Sequence, residues 1–350
     1  MPRTRLLPAL GALALGLAFL APGASSGPLP AEVDLPALSD AFADLGERIN
    51  RGTVLVQVSR LEEGQRVYGF GSGFVIDAIR GIVVTNHHVV GGAAANVKVV
   101  LGDGRTEAAE VVATDPATDV AVVRIPPGFA RAQLSWGDSD VLRPGHLVLA
   151  VGSPLGMQGT TSVGVVSALG RTLPDLEQIR YMDFLQFDAF IDQGSSGGPL
   201  CDMRGRVVGI NTAIRSTKSG PGGAWSGYSY AVPSRIARHV VEDLLEHGEV
   251  RRGWLGTRVE PVRAGDAELL GLLRPYGVSI QEVVAGSPAE RAGLRKGDVI
   301  LAIEGREVPG VGPFLARIAT YPPEAELELR VWRRKKPLEV TVVLGERAGG

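Results

Sequence analysis

The sequence predicts a mostly β chain, a double β-barrel domain followed by a small α+β domain. Three observations carry this expectation. Ten short β-type runs, separated by Gly, Asp and Pro turns, recur between Thr53 and Ile210. Strands at that density fit a barrel or sandwich better than alternating α/β units. The 47 glycines and 5% aromatic content of the 350 residues favour many turns. An apolar-striped helix then closes the series, and beyond Gly253 a second pattern of strands and helices begins that is long enough to fold alone.

Composition narrows the function classes. Hydrophobic content of 45% and charged content of 21% are those of ordinary globular protein. The 36 basic and 38 acidic residues leave a net charge of −2, so no global field argues for a nucleic-acid partner. Cys201 is the one cysteine, which excludes an intramolecular disulfide, and it reads as a small buried core residue. No metal and no cofactor is called for.

In chain order, Arg3 and Arg5 precede an apolar run from Leu6 to Ala21, broken by Pro8 and followed by the small residues Ala21 to Ser26. Residues 1–25 therefore read as a secretory signal or a membrane anchor, and either places the folded part outside the cytoplasm. Residues 26–37 are rich in Pro, Gly and Ala and read as a linker. Leu38, Phe42, Leu45 and Ile49 then fall at helical spacing. The β-type runs follow at Thr53–Val58, Ser72–Ile76, Ile82–Val84, Val97–Leu101, Val111–Ala113, Val120–Ile125, Leu147–Val151, Thr161–Ser167, Phe184–Ile191 and Val207–Ile210. Pro233 and Ser234 open the closing helix, whose stripe is Ile236, Val240, Val241, Leu244 and Leu245, with Gly248 to end it. The first domain is thus expected over residues 38–249 and the second over 253–345. In the second, Val278–Val284 and Val299–Ile303 read as strands, Pro313–Thr320 as a helix, and Leu327–Trp332 with Val340–Leu344 as a hairpin. Its turn carries Arg333-Arg334-Lys335-Lys336, expected to be a solvated turn.

The chemistry centres on Gly194-Ser195-Ser196-Gly197-Gly198-Pro199-Leu200. Serine before two glycines, after an apolar run, is a common way to present a nucleophile, because glycines let a substrate carbonyl approach main-chain N–H groups. A serine hydroxyl needs a base, and the base needs a third group to hold its tautomer. Among His87, His88, His146, His239 and His247, only the pair His87-His88 ends a strongly apolar strand, where a side chain can be aimed into a cleft. Asp119 opens the apolar strand at Val120, where a buried carboxylate demands a partner; Asp115, before a proline, reads as a turn former. The order is His, Asp, Ser, that of chymotrypsin-type barrels.

These segments resemble the HtrA/Deg family of serine proteases. Thr85-Asn86-His87-His88-Val89-Val90, Asp115-Pro116-Ala117-Thr118-Asp119-Val120-Ala121 and the Ser195–Ser196 segment are similar to its three active-site signatures. Gly71-Ser72-Gly73-Phe74-Val75-Ile76, Val151-Gly152-Ser153-Pro154-Leu155-Gly156 and Ala231-Val232-Pro233-Ser234 resemble its connecting segments. Trp254-Leu255-Gly256, Gly286–Leu294 and Gly297-Asp298-Val299-Ile300 resemble its PDZ domain. The resemblance implies a chymotrypsin-like double β-barrel protease domain followed by a PDZ domain. It implies His88 as base, Asp119 as its orienting acid and Ser196 as nucleophile. It further implies an oxyanion hole from the N–H groups of Gly194 and Ser196 with Ser195 nearby, and a peptide-carboxylate loop at Trp254, Leu255, Gly256 and Thr257. The implied partners are unfolded, damaged or regulatory protein substrates and peptide C-termini, in a homotrimer or a multiple of one. Three departures stand out: Ser195 replaces the usual Asn, Phe190 a small residue, and Asp192-Gln193 the usual Asn-Pro. Phe190 predicts a primary pocket for small aliphatic side chains. The rival reading is a non-catalytic PDZ-containing adaptor or chaperone on a protease-like fold.

Overall fold

The computed structural model describes residues 34–62, 65–91, 96–173, 176, 178–216 and 225–346. The signal or anchor expected over residues 1–25 lies outside these. Among the described residues no helix is long and apolar enough to cross a membrane.

Helix α1 (Leu35–Gly52) precedes the first barrel, and its Leu45 and Ile49 are buried, with Phe42 packed on the same core. The first barrel consists of β1 (Thr53–Glu62), β2 (Gln65–Asp77), β3 (Ile82–Thr85), β4 (Asn96–Leu101), β5 (Thr106–Asp115) and β6 (Val120–Arg124). It closes antiparallel in the order β1-β2-β3-β6-β5-β4. A single helical turn, α2 (His87–Val90), follows β3. The second barrel, in the order β10-β11-β12-β9-β8-β7, is built from β7 (Leu147–Gly152), β8 (Thr160–Arg171), β9 (Phe184–Phe187), β10 (Pro199–Cys201), β11 (Val207–Ser216) and β12 (Trp225–Pro233).

Two of these strands, β10 and β12, are absent from the sequence expectation. β10 is three residues long and hides inside a Gly-Gly-Pro run, while β12 has the uneven pattern Ser-Gly-Tyr-Ser-Tyr. The expected strand to Ile191 stops at Phe187 instead. There Asp188 turns toward β8, its carboxylate accepting the Val165 N–H at 2.6 Å, and Ala189 packs where a Cβ on Gly164 would stand.

Helix α3 (Ser234–His247) binds the two barrels into one body. Its Ile236, Val240, Val241 and Leu244 join a core that takes Phe74, Val84 and Val122 from the first barrel and Leu149, Phe184 and Ile210 from the second. Gly248 ends it in the left-handed region, donating to Leu244 O at 3.2 Å.

The second domain begins with β13 (Gly253–Trp254), paired with β20 (Gly345–Glu346). Its sheet runs β14 (Thr257–Pro261), β15 (Val278–Val283), β16 (Val299–Ile303), β18 (Glu326–Arg333) and β19 (Lys336–Val343), with the short β17 (Arg306–Glu307) beside β16. Helices α4 (Ala264–Leu270), α5 (Pro288–Arg291) and α6 (Val311–Ala319) complete it. Phe314 and Ile318 of α6 fill this domain's core, whereas Ala316 belongs to the barrel core. The helix therefore works as a shared wall between the domains. Around it, Arg235 donates to Asp183 at 2.6 Å, Asp140 at 3.1 Å and the Thr320 hydroxyl at 3.2 Å, and Arg306 pairs with Asp140. Burial pushes the Asp183 carboxyl up, with Arg235 and Arg317 opposing.

The basic hairpin turn is only partly the solvated turn expected. Arg333 bonds both oxygens of the buried Asp298 at 2.7 Å, which raises the guanidinium pKa, while Arg334 and Lys335 occupy the turn proper. Cys201 is fully buried, and desolvation pushes its thiol well above the ordinary range.

Candidate active site

Asp119 is the hub of the site. It sits at φ +60° at the mouth of β6 and is only 3% exposed. Its main-chain carbonyl accepts Asn86 Nδ2–H at 2.7 Å and the His87 N–H at 3.2 Å. One carboxylate oxygen accepts the His88 N–H at 3.0 Å, and the other lies 2.8 Å from His88 Nδ1. An acceptor there requires Nδ1 to carry the hydrogen, so in the neutral ring Nε2 has the free lone pair. The α2 turn, closed by Gly91, holds the His88 ring half-exposed above the carboxylate.

Ser196 comes from the opposite barrel, on the loop that leads into β10. Its hydroxyl donates to the Thr212 carbonyl at 3.2 Å. The Thr212 hydroxyl in turn accepts from Asn86 Nδ2 at 3.1 Å, so Asn86 and Thr212 link the two barrels behind the catalytic face. His88 and Ser196 line one hollow of about 220 Å³ with Gly194, Phe70, Tyr68 and Val89. A second hollow, of about 370 Å³, is lined by His87 and His88 with Asp119, Thr212, Leu176 and Ile179. The sequence-predicted His88, Asp119 and Ser196 thus converge, whereas the His87 Nδ1 is buried without a hydrogen-bond partner.

Glycines make the nucleophile loop possible. Gly194 stands at φ +97°, with the Phe70 ring and Ser153 O where a Cβ would go, and Gly197 at φ +87° lies against Ser72 O and Thr85 Oγ1. The Ser195 N–H does not face the cleft: it donates to Asp192 O at 2.8 Å, closing a turn that Asp192 N–H to Ser195 Oγ, at 3.3 Å, reinforces. This corrects the expectation that Ser195 belongs with the oxyanion donors. The N–H groups of Gly194 and Ser196 pair with none of the described residues. Asp192 caps the neighbouring Gln193 N–H at 2.7 Å, and Phe190 is 43% exposed at the start of the segment.

Thr212 and Ser72 are the functional neighbours that sequence reasoning passed over. Thr212 has no local signature; Ser72 has one, a serine set between two glycines in a buried strand. Among the described residues no group of three His, Cys, Asp or Glu side chains is arranged to hold a metal.

In the second domain, Leu255 of the expected carboxylate loop is buried, its carbonyl accepting the Ala289 N–H at 2.9 Å, and Gly256 O accepts the Val284 N–H at 2.9 Å. Trp254 stacks beside Gly345, and Thr257 opens β14, which is the edge strand of its sheet with α6 alongside.

Two six-stranded barrels with a His-Asp pair on one and a serine loop on the other define a trypsin-like serine peptidase architecture. Residues 71–210 match the trypsin-like peptidase domain family, and residues 253–344 match the PDZ domain family. The chain is 34% identical to the periplasmic pH-dependent serine endoprotease DegQ of Escherichia coli strain K12, over 98% of this chain and 78% of that protein. It is 41% identical to a probable periplasmic serine endoprotease DegP-like of Chlamydia trachomatis over 78% of this chain. It spans only 53% of that relative's length. A structure of the HtrA-type protease AlgW with a tripeptide superposes with a TM-score of 0.69 at 35% identity, covering 88% of this chain and 98% of that one. The chain belongs to the HtrA-type family of serine endoproteases, to which the DegP and DegQ proteins belong.

Proposed function

We propose that this chain is an extracytoplasmic serine endopeptidase acting on unfolded, damaged or regulatory proteins, with the PDZ domain binding their C-termini. The observation that carries the reading is the double grip of Asp119 on His88, at the ring Nδ1 and at the main-chain N–H, with Ser196 opening into the same hollow. In the proposed reaction Ser196 Oγ leaves the Thr212 carbonyl by rotation about χ1 and donates to His88 Nε2. His88 takes the proton as Oγ bonds to the scissile carbonyl carbon, and Asp119 stabilises the imidazolium. The carbonyl oxygen gains its charge against the Gly194 and Ser196 N–H groups. The imidazolium then protonates the departing amine, and water deacylates the enzyme by the same route in reverse.

Location outside the cytoplasm, in the periplasm, follows the relatives' names and the basic-then-apolar N-terminus. Assembly as a trimer or a multiple of it, and tethering to a membrane through residues 1–25, belong to the same proposal.

The test is labelling by a fluorophosphonate probe, with casein digestion, of wild type and Ser196→Ala. Wild type is expected to label and digest, Ser196→Ala to do neither, and hydrophobic C-terminal peptides to raise the rate. Absence of Ser196-dependent labelling would leave the non-catalytic adaptor reading standing. A peptide-library digest addresses Phe190: cleavage after small aliphatic residues is expected, and cleavage chiefly after Lys or Arg rejects the pocket assignment.

A further inference from the structure

We propose that Ser72, on β2 of the first barrel, is a positioning residue that aims the oxyanion donors of the second barrel. The inference rests on the endopeptidase reading.

In a trans peptide the C=O and N–H point in opposite directions, so fixing a carbonyl fixes the neighbouring N–H. Three peptide planes matter here. In the plane joining Gln193 to Gly194, the carbonyl accepts the Leu155 N–H at 2.9 Å, which turns the Gly194 N–H away from it. In the plane joining Ser195 to Ser196, the carbonyl accepts the Gly198 N–H at 3.1 Å, which aims the Ser196 N–H in the same manner. The plane between them, Gly194 to Ser195, is held at both ends: its N–H by Asp192 O at 2.8 Å, and its carbonyl by the Ser72 hydroxyl at 2.7 Å. That central plane is the hinge through which either donor could swing out of the cleft.

Ser72 also reaches the outer plane. The same hydroxyl accepts the Ser153 N–H at 2.8 Å, and Ser153 is two residues before Leu155, whose N–H holds the Gln193 carbonyl. Its main chain adds a third tie, Ser72 N–H to Ser196 O at 2.7 Å. The residue is fully buried and its own carbonyl accepts the Thr85 hydroxyl at 2.6 Å, next to the His88 turn. Its hydroxyl spends its hydrogen on Gly194 and a lone pair on Ser153, so no alternative partner competes. The flanking glycines explain the fit: a Cβ on Gly71 would stand 3.1 Å from Ser196 O, and one on Gly73 would stand 2.9 Å from Val84 O. A Cβ on the facing Gly152 would meet the Ser72 hydroxyl itself at 3.1 Å.

The experiment uses the full chain with Ser72→Ala and Ser72→Cys, a peptide substrate, a peptide boronic acid that forms the tetrahedral adduct, and the cleaved product peptide. For Ser72→Ala, kcat is expected to fall by about 10²-fold, the scale of one lost oxyanion donor. KM and product-peptide affinity should stay within about threefold, and boronate affinity should fall in step with kcat/KM. The pH dependence of the rate should keep its midpoint, because His88 and Asp119 are untouched. Ser72→Cys, of similar size but a weaker donor, should fall between, and it carries the test if the alanine variant does not fold. An unchanged kcat, or a rise in KM with boronate affinity retained, overturns the proposal. A wild type that neither labels with fluorophosphonate nor cleaves casein overturns the endopeptidase reading itself.

Discussion

Asp119 does two jobs that a neutral side chain of the same shape cannot do. Its carboxylate accepts at both oxygens, from the His88 ring and from the His88 main chain. In Asp119→Asn the amide would place a donor against Nδ1 and reverse the imidazole tautomer. The expected outcome is a drop in kcat of about 10³–10⁴-fold with little change in KM, read with a peptide substrate. Gly197 is the other residue whose chemistry leaves no latitude. An added Cβ would lie 2.1 Å from Ser72 O in a backbone conformation that L side chains avoid. Gly197→Ala is expected to cost more than about 2 kcal/mol in urea unfolding and to remove activity. The residues of the proposed triad were legible because each stands in a short stretch whose chemistry is local: two histidines after an apolar strand, an aspartate before one, a serine before two glycines. Thr212 and the Ser195 turn were not legible, since a main-chain carbonyl and a main-chain N–H have no signature in side-chain sequence.

Helix α3 shows what an element adds. Its stripe was readable from spacing alone, but the sequence does not say that the stripe faces two barrels at once. Leu244, 1% exposed, sits in the core shared by both. Leu244→Ala is expected to destabilise by about 2–5 kcal/mol, seen as a lower urea midpoint. The same helix carries an acid-sensitive group. Burial pushes the His239 imidazole below its ordinary value; Asp243 and Glu242 pull it upward, and Arg252 and Arg235 add to the depression. The folded chain therefore binds this proton less readily than the unfolded one, so the stability present above about pH 6.5 is lost as pH falls below it. His239→Gln should reduce the fall in urea midpoint between pH 7 and pH 5. The strands missed from sequence, β10 and β12, share a weak local pattern; both pair with β11, their neighbour in the chain, and each is also held by a distant strand, β7 or β9, so tertiary pairing outweighs local preference.

At the scale of the whole molecule, the domains meet through the polar ties of Arg306 to Asp140 and Arg235 to the Thr320 hydroxyl. Arg235 satisfies Asp140 and Asp183 of the barrels and Thr320 of the second domain, and Arg252, from the connecting segment, pairs with Asp115 and lies 4.7 Å from the Tyr181 ring centre. Arg235→Ala would leave the largely buried Asp183 without its ion pair and Asp140 with Arg306 alone, and a broken buried pair typically costs about 3–5 kcal/mol. It is expected to speed limited proteolysis of the connection between Gly248 and Gly253, and an unchanged cleavage rate would count against the contact as a brace. The tie between Ser72 and the Ser196 loop has a different consequence, for the order in which the protein is made. Under the export proposed above, a chain crossing from its N-terminus delivers His88 and Asp119 early, and Ser196 and its carbonyl partners only with the second barrel. Until that barrel closes on β2, the nucleophile has no base facing it and no aimed donors behind it. A half-delivered molecule thus lacks its nucleophile, so under the proposed export and activity it would cross before it could cut its neighbours.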